Sequence, residues 1–336
     1  MSKKFDSSSP MQVGGQAVIE GVMMRAPGMV ATAVRRADGS ITVRQEPHRS
    51  LTERYHWLKL PILRGAVGLI EMMVIGIRTL NASAELAMED AVPQDGGRKV
   101  AEAGGSRTRR NDNRALWLTV GLAFAGAMGL FFVIPLLVAS SIPGIGQQPA
   151  AFNLIAGLVR VTVLMAYLGA ISLLRDVQRL FQYHGAEHKA VFAFERGLPL
   201  TLESAGSQSR FHPRCGTSFL LIVMVSAIIL FALLDTAIIA MTGPITFVTR
   251  ILTHLPLVPL VGGISYEFIR ISARHADTPV GKALVAPGLW LQRITTKEPD
   301  EGQLEVALTA LRSALGDRPP ASLPVHPLAS LAVSVN

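Results

Sequence analysis

Charge is what this chain has least of. Only 17% of its 336 residues are Asp, Glu, Lys or Arg, against roughly 25% in an ordinary soluble domain. A single cysteine, Cys215, cannot form an intramolecular bridge, which excludes a disulfide-stapled secreted scaffold. No period of about 20–50 residues recurs, so solenoids and propellers find no support. The first ten residues, MSKKFDSSSP, are polar and lead into no short apolar run, so no signal peptide is expected. What the chain does have is apolar surface. A hydrophobic content of 49% and a mean hydropathy of +0.38 exclude disorder of the whole chain. The class is then decided by where the few charges fall.

They are missing in blocks. From Ala115 to Gln148 there is no Asp, Glu, Lys, Arg or His, and Leu116–Ser140 is long enough to span, since a hydrocarbon core needs about 20 helical residues. A second block, Leu154–Leu174, carries only Arg160, read as snorkelling toward one end. A third, Thr217–Met241, is apolar except for Asp235 near its far end. Both charges read as anchors. The fourth block, Ile251–Ile271, contains His254, Pro256, Pro259, Gly262, Gly263 and Glu267. Its clean part, Leu255–Tyr266, is about half a span, so a kinked or re-entrant helix competes with a full crossing. Basic residues cluster before the first span, between the second and third (Arg175, Arg179, Lys189, Arg196, Arg210, Arg214) and after the fourth. The positive-inside rule puts the N-terminus, the loop at 175–216 and the C-terminus in the cytoplasm. The net charge of +8 is a topology signal, and nucleic acid is not an expected partner.

The expected fold is mainly α: a polytopic helical membrane protein of about four transmembrane or re-entrant helices, with a small N-terminal cytosolic β module. The sequence divides into a disordered start (1–10), the β module (11–50), an amphipathic interfacial helix (51–88), a basic linker (89–114) and a membrane domain (115–285). An amphipathic C-terminal segment (286–317) and a disordered tail (318–336) follow. In the β module, Ala17–Arg25 reads as one apolar strand interrupted by Glu20. Asp38-Gly39 signals a hairpin in which both turn positions can take positive φ. Between Pro61 and Met88, Arg64, Glu71, Arg78 and Glu85 recur every seven residues and form one polar stripe. A fifth span over 62–80 would have to carry charges from that stripe.

The loop at 175–216 holds the densest set of ligand-type side chains, in FQYHGAEHKAV (181–191) and HPRCGTSF (212–219). On a helix continuing from span two, His184 and His188 stand at i and i+4, so both rings leave one face. Two neutral imidazoles at that spacing can grip a divalent ion such as zinc. Glu187 beside them is the candidate general base. A catalytic zinc usually takes three protein ligands, and His212 or Cys215 is the natural third. If both bind, the site is closed and structural; if one binds, a water position stays open. Arg214 or Lys189 is placed to stabilise developing negative charge, Glu203 and Glu267 are further ligand candidates, and Glu267 could instead pair with Arg270.

Together with GGQAVIEGVMMR (14–25), PILRG (61–65) and PGLWLQRITTKEP (287–299), these strings resemble the bacterial YqhQ family over about residues 11–315. That family groups integral membrane proteins of unknown function described as predicted metal-dependent enzymes. The resemblance implies a multi-pass protein of the bacterial inner membrane and a metal at His184, Glu187, His188, His212 and Cys215; it supplies no substrate. The functional expectation is a membrane-embedded, metal-dependent hydrolase acting on a peptide or lipid-linked substrate at the cytosolic face. His184, His188, His212 and Cys215 are its candidate metal ligands, with zinc the expected ion, and Glu187 is its candidate catalytic residue. The alternative is a non-enzymatic scaffold or assembly factor with a structural metal site and a membrane-protein partner. In either case the lipid bilayer is the expected surrounding.

Overall fold

The computed structural model of the chain describes residues 13–91, 118–119, 121–274 and 278–316. The expected termini at 1–10 and 318–336, and all but the first residues of the linker at 89–114, lie outside them.

Four strands, β1 (Gly14–Val18), β2 (Gly21–Ala26), β3 (Gly28–Arg35) and β4 (Ile41–His48), form an antiparallel meander in sequence order. The stretch expected as one strand, Ala17–Arg25, is folded into two by a turn at Ile19-Glu20, where Glu20 takes φ 51°. Two features permit the turn. Gly21 lets β2 start tight against β3, because a methyl carbon there would come within 3.0 Å of Val34 Cα. The Glu20 carboxylate is then fixed by an ion pair with Arg179 and accepts a hydrogen bond from Tyr183 at 3.2 Å. The hairpin expected at Asp38-Gly39 is present with a different turn. Only Gly39 is left-handed, at φ 83°, while Arg36 N donates to Ser40 O (2.8 Å) and Asp38 caps Ser40 N (2.8 Å). That is a three-residue loop, in which one position rather than two needs positive φ.

The sheet is covered on both faces. Val22, Met24, Ala31, Ala33, Ile41 and Val43 pack against α5 (Arg175–Glu195) and α10 (Glu301–Ala314). Val18, Met23, Val30 and Val34 pack under Met72, Ile75, Leu80 and Leu86 of α2 (Leu63–Ala91). Burial on both faces is why the strands read as apolar runs rather than an alternation. Helix α10 starts at a capping box, with Asp300 Oδ1 accepting from Gln303 N and the Gln303 side chain accepting from Asp300 N.

Helices α3 (Gly121–Ser140), α4 (Pro149–Ile171), α7 (Gly216–Thr242) and α8 (Phe247–Arg274) are each long and apolar enough to cross a membrane, the last over Phe247–Ser272. The protein is a mainly helical, multi-pass membrane protein with a small N-terminal sheet. The re-entrant alternative for the fourth segment gives way to one continuous helix that contains Pro256 and Pro259. The α2 helix meets α8 where Gly65 faces Tyr266 Cβ, 2.7 Å from where a methyl would sit. There Arg64 forms an ion pair with Glu267, which is thus not mainly the partner of Arg270. In the first half of α2 the polar stripe faces protein. Glu71 is buried and accepts from Ser50 Oγ at 2.7 Å, while Ile70, Met73, Val74 and Ile77 are exposed.

Neither intramembrane charge is an anchor. Asp235 is fully buried and accepts hydrogen bonds from Asn153 (2.8 Å), Arg250 (3.0 Å) and His254 (2.9 Å), tying α4, α7 and α8 together. Arg250 also donates to Gly146 O at 2.5 Å. Arg160 sits midway along the 23-residue α4, too far from either end to snorkel, and is buried. Its Nε donates to Phe131 O at 2.8 Å, within a π-turn at Gly129–Val133.

Candidate metal centre

Span two stops before the ligands begin. The helix ends at Ile171, Leu174 is extended at ψ 132°, and α5 starts afresh at Arg175. The two histidines share α5 as the spacing requires, with ring centroids 4.4 Å apart. Cys215 arrives from the other side as the N-cap of α7, its sulfur accepting from Thr217 N at 3.4 Å. It is preceded by a turn in which Cys215 N donates to His212 O at 3.3 Å, as Pro213 and Gly216 favour. One ligand atom each from His184, His188 and Cys215 lies within 4.8 Å of the others.

Each imidazole is held from behind. His184 Nδ1 lies 2.8 Å from Thr295 O, and His188 Nδ1 lies 2.6 Å from Arg210 O. Both carbonyls can only accept, so both Nδ1 atoms carry the proton and both Nε2 atoms present a lone pair. His184 Nε2 is 3.2 Å from Cys215 Sγ, and His188 Nε2 is 3.5 Å from Glu187 Oε2. Burial holds the His188 pKa below the usual imidazole value, keeping the ring neutral at pH 7. The two Nε2 atoms and the Cys215 sulfur therefore share one small volume. A metal ion satisfies all three donors, and backbone carbonyls behind the imidazoles are the usual support of histidine ligands.

Glu187 lies on the same turn, buried against β1. Burial raises its pKa, opposed by His184, His212 and the backbone N–H of Gly15. Gly15 permits the approach, since a methyl there would stand 2.7 Å from Glu187 Cγ. A carboxyl raised by burial beside three converging ligand-type atoms stands where a general acid or base would have to stand.

The fourth expected ligand, His212, is adjacent but turned aside. Its ring lies 5.5 Å from that of His188, yet its Nε2 faces Glu195 Oε2 at 3.3 Å and its Nδ1 accepts from Arg214 N at 3.3 Å. The two candidate cations are committed elsewhere: Lys189 to Glu298 and Gly206 O, and Arg214 to Glu195. Glu203 lines a separate cleft of about 530 Å³ with Lys189 and Glu298, and Glu267 is held by Arg64.

Sequence reasoning passed over the residues that frame the centre. Gln292, fully buried on α9 (Pro279–Thr295), accepts from His212 N (2.7 Å) and donates to His212 O (2.7 Å) and Ser218 Oγ (2.9 Å). The Arg210 guanidinium bonds Thr296 O while its own carbonyl holds His188. The signal is the polar residues inside PGLWLQRITTKEP, a string that carries the family resemblance and otherwise reads as amphipathic.

The model of a family described as "Protein of unknown function (DUF1385)" matches residues 60–317, more than half of the chain. The chain belongs to this family. It is also 33% identical over 310 residues to "Uncharacterized protein YqhQ" of Bacillus subtilis (strain 168), covering 91% of this chain and 93% of that one. The motif resemblance to the YqhQ family is thereby established, although neither description names an activity. No solved structure matches.

Proposed function

We propose that this DUF1385 protein is a metal-dependent hydrolase of the bacterial inner membrane, working at the cytosolic face on a peptide or lipid-linked substrate. The observation that carries the metal is the tautomer set by Thr295 O and Arg210 O, which aims two imidazole lone pairs at the Cys215 sulfur. Three ligands of this kind suit zinc and leave a fourth position open. The ion would supply Lewis acidity and acidify a water that it binds. Glu187, 3.5 Å from His188 Nε2, takes up the proton. His212, held by Glu195, orients the loop that carries Cys215. The bias of basic residues supports a cytoplasmic N-terminus, C-terminus and 175–216 loop, and the exposed apolar side of α2 suits the bilayer surface.

A second reading rests on the position of His212. Turned from Glu195 toward His188, 5.5 Å away, it would give four protein ligands and a closed structural site, the arrangement for a scaffold with a membrane-protein partner. The purified, metal-loaded protein assayed on a peptide library and a membrane lipid extract separates the two. Turnover that disappears in Glu187→Gln with metal retained supports the enzyme. No turnover, together with loss of the ion in both Cys215→Ser and His212→Ala, supports the closed site.

A further inference from the structure

Arg160 stands apart from the metal centre and from the charge-balanced Asp235 cluster. It lies at the middle of a spanning helix and is only 9% exposed. Its Nε is bonded to Phe131 O, its guanidinium carbon lies 6.0 Å from the centre of the Phe132 ring, and no carboxylate meets it among the described residues. Its two terminal nitrogens have no partner among those residues either. Unlike His254 Nδ1, they are not sealed from outside. A cation at this depth is costly without a counter-charge, and such residues mark binding sites or ion paths.

The neighbouring helix opens at the same level. From Phe132 onward α3 packs on α4, through Phe132, Leu136 and Ala139 against Phe152 and Ala156. Before the π-turn it does not: residues 121–127 are exposed on every side among the described residues. The π-turn at Gly129–Val133 is where the two helices part, and such turns recur at functional sites. Tyr167, seven residues beyond Arg160 and so on the same face of α4, sets its ring edge-on to Phe131 at 5.8 Å. Leu122 and Phe124 are exposed on the parted half of α3. The apolar sides of α3 and α4 are thus uncovered where the helices part, with the two unbonded terminal nitrogens of Arg160 beside the point of parting.

The geometry points to a binding site for the anionic head of an amphiphile, a phosphate or carboxylate on a hydrocarbon tail, held by Arg160 between α3 and α4. The guanidinium fork matches either head, and the apolar walls favour a ligand that brings its own tail over a free anion. The test uses the full-length chain, purified and delipidated in maltoside detergent. Thermal unfolding is followed while dioleoylphosphatidylglycerol, oleate or dioleoylphosphatidylcholine is titrated in. Phosphatidylglycerol or oleate should raise the midpoint and phosphatidylcholine should not; which anion acts distinguishes a phosphate from a carboxylate head. Arg160→Gln should bind that probe roughly 10- to 100-fold more weakly. Its stability without lipid should change little, because losing the bond to Phe131 O is offset by removing a buried charge that has no counter-charge among the described residues. Arg160→Lys should keep part of the effect. Equal shifts with all three lipids, or wild-type binding in Arg160→Gln, would overturn the site. If Arg160→Gln does not fold, a folded Arg160→Lys that prefers neither anion to phosphatidylcholine overturns it as well.

Discussion

Replacing Gly15 with alanine tests the joint between the β module and the metal centre with one methyl group. Built on the backbone, that carbon would lie 2.6 Å from Met23 O, 2.7 Å from Glu187 Cγ and 2.8 Å from Met24 Sδ. Met23 O belongs to the sheet partner of β1 and cannot swing away, so the strand and Glu187 must separate by several tenths of an ångström. Overpacking of this kind costs about 1–3 kcal/mol. Glu187 would also lose registry with the Gly15 N–H that bonds it, and misplacing a reacting group by about 1 Å can cost on the order of 100-fold in rate. The ligands do not touch Gly15, so metal content should stay at the wild-type level. Gly14→Ala is the control, since nothing lies within 4 Å of its added carbon. Unfolding in detergent, metal analysis and turnover are measured on both variants. Gly15→Ala should fall in stability and turnover while Gly14→Ala stays close to wild type. If the two variants behave alike, Glu187 is not packed against β1.

Other expectations follow from separate parts of the molecule. Burial acts to raise the Glu195 carboxyl, but its pairs with His212 and Arg214 outweigh burial and hold it below its ordinary value of 4.5. Its stabilisation is therefore present above that pH and fades as pH falls below it. Glu195→Gln should flatten the acid limb of a stability–pH curve, and an unchanged limb would refute the pair. Asp235→Asn leaves Arg250 buried without its carboxylate and should cost about 3–5 kcal/mol, read by unfolding in mixed micelles. Asp235→Leu combined with Arg250→Met should recover much of that, and a double variant worse than the single would contradict the network. Gln292→Leu removes the three bonds that clamp His212 to Ser218. It should loosen the loop that carries Cys215 and weaken metal affinity without changing stoichiometry, as read by chelator competition.

What sequence carried best was local. Blocks of about 20 residues with few or no charges announce spans without any knowledge of partners, and the four candidate spanning helices lie where those blocks lie. Spacing of four put His184 and His188 on one helical face. What failed needed three dimensions. Glu20 looked like a polar interruption of a strand because its partners, Arg179 and Tyr183, are some 160 residues away. Asp235 and Arg160 looked like anchors because a position in a string does not reveal the face or the depth of a side chain. His212 carries the right atom at the start of the turn that ends at Cys215, yet Glu195, 17 residues earlier, takes its Nε2. Thr295 acts through a backbone carbonyl that any residue could offer, and the Gln292 carboxamide finds its partners 74 and 80 residues away, so local spacing marked neither.

The central claim is that His184, His188 and Cys215 hold one metal ion with a position left open. Metal analysis of the purified wild-type chain, joined to X-ray absorption at the metal edge, tests it most directly. About one equivalent of zinc or a related ion is expected, with one sulfur, two imidazole nitrogens and one light solvent atom around it. Loss of that ion is expected in His184→Ala, His188→Ala and Cys215→Ser, with retention in Glu187→Gln. A wild-type chain that binds no more metal than His184→Ala would mean that these three side chains hold no ion, whatever activity it displayed.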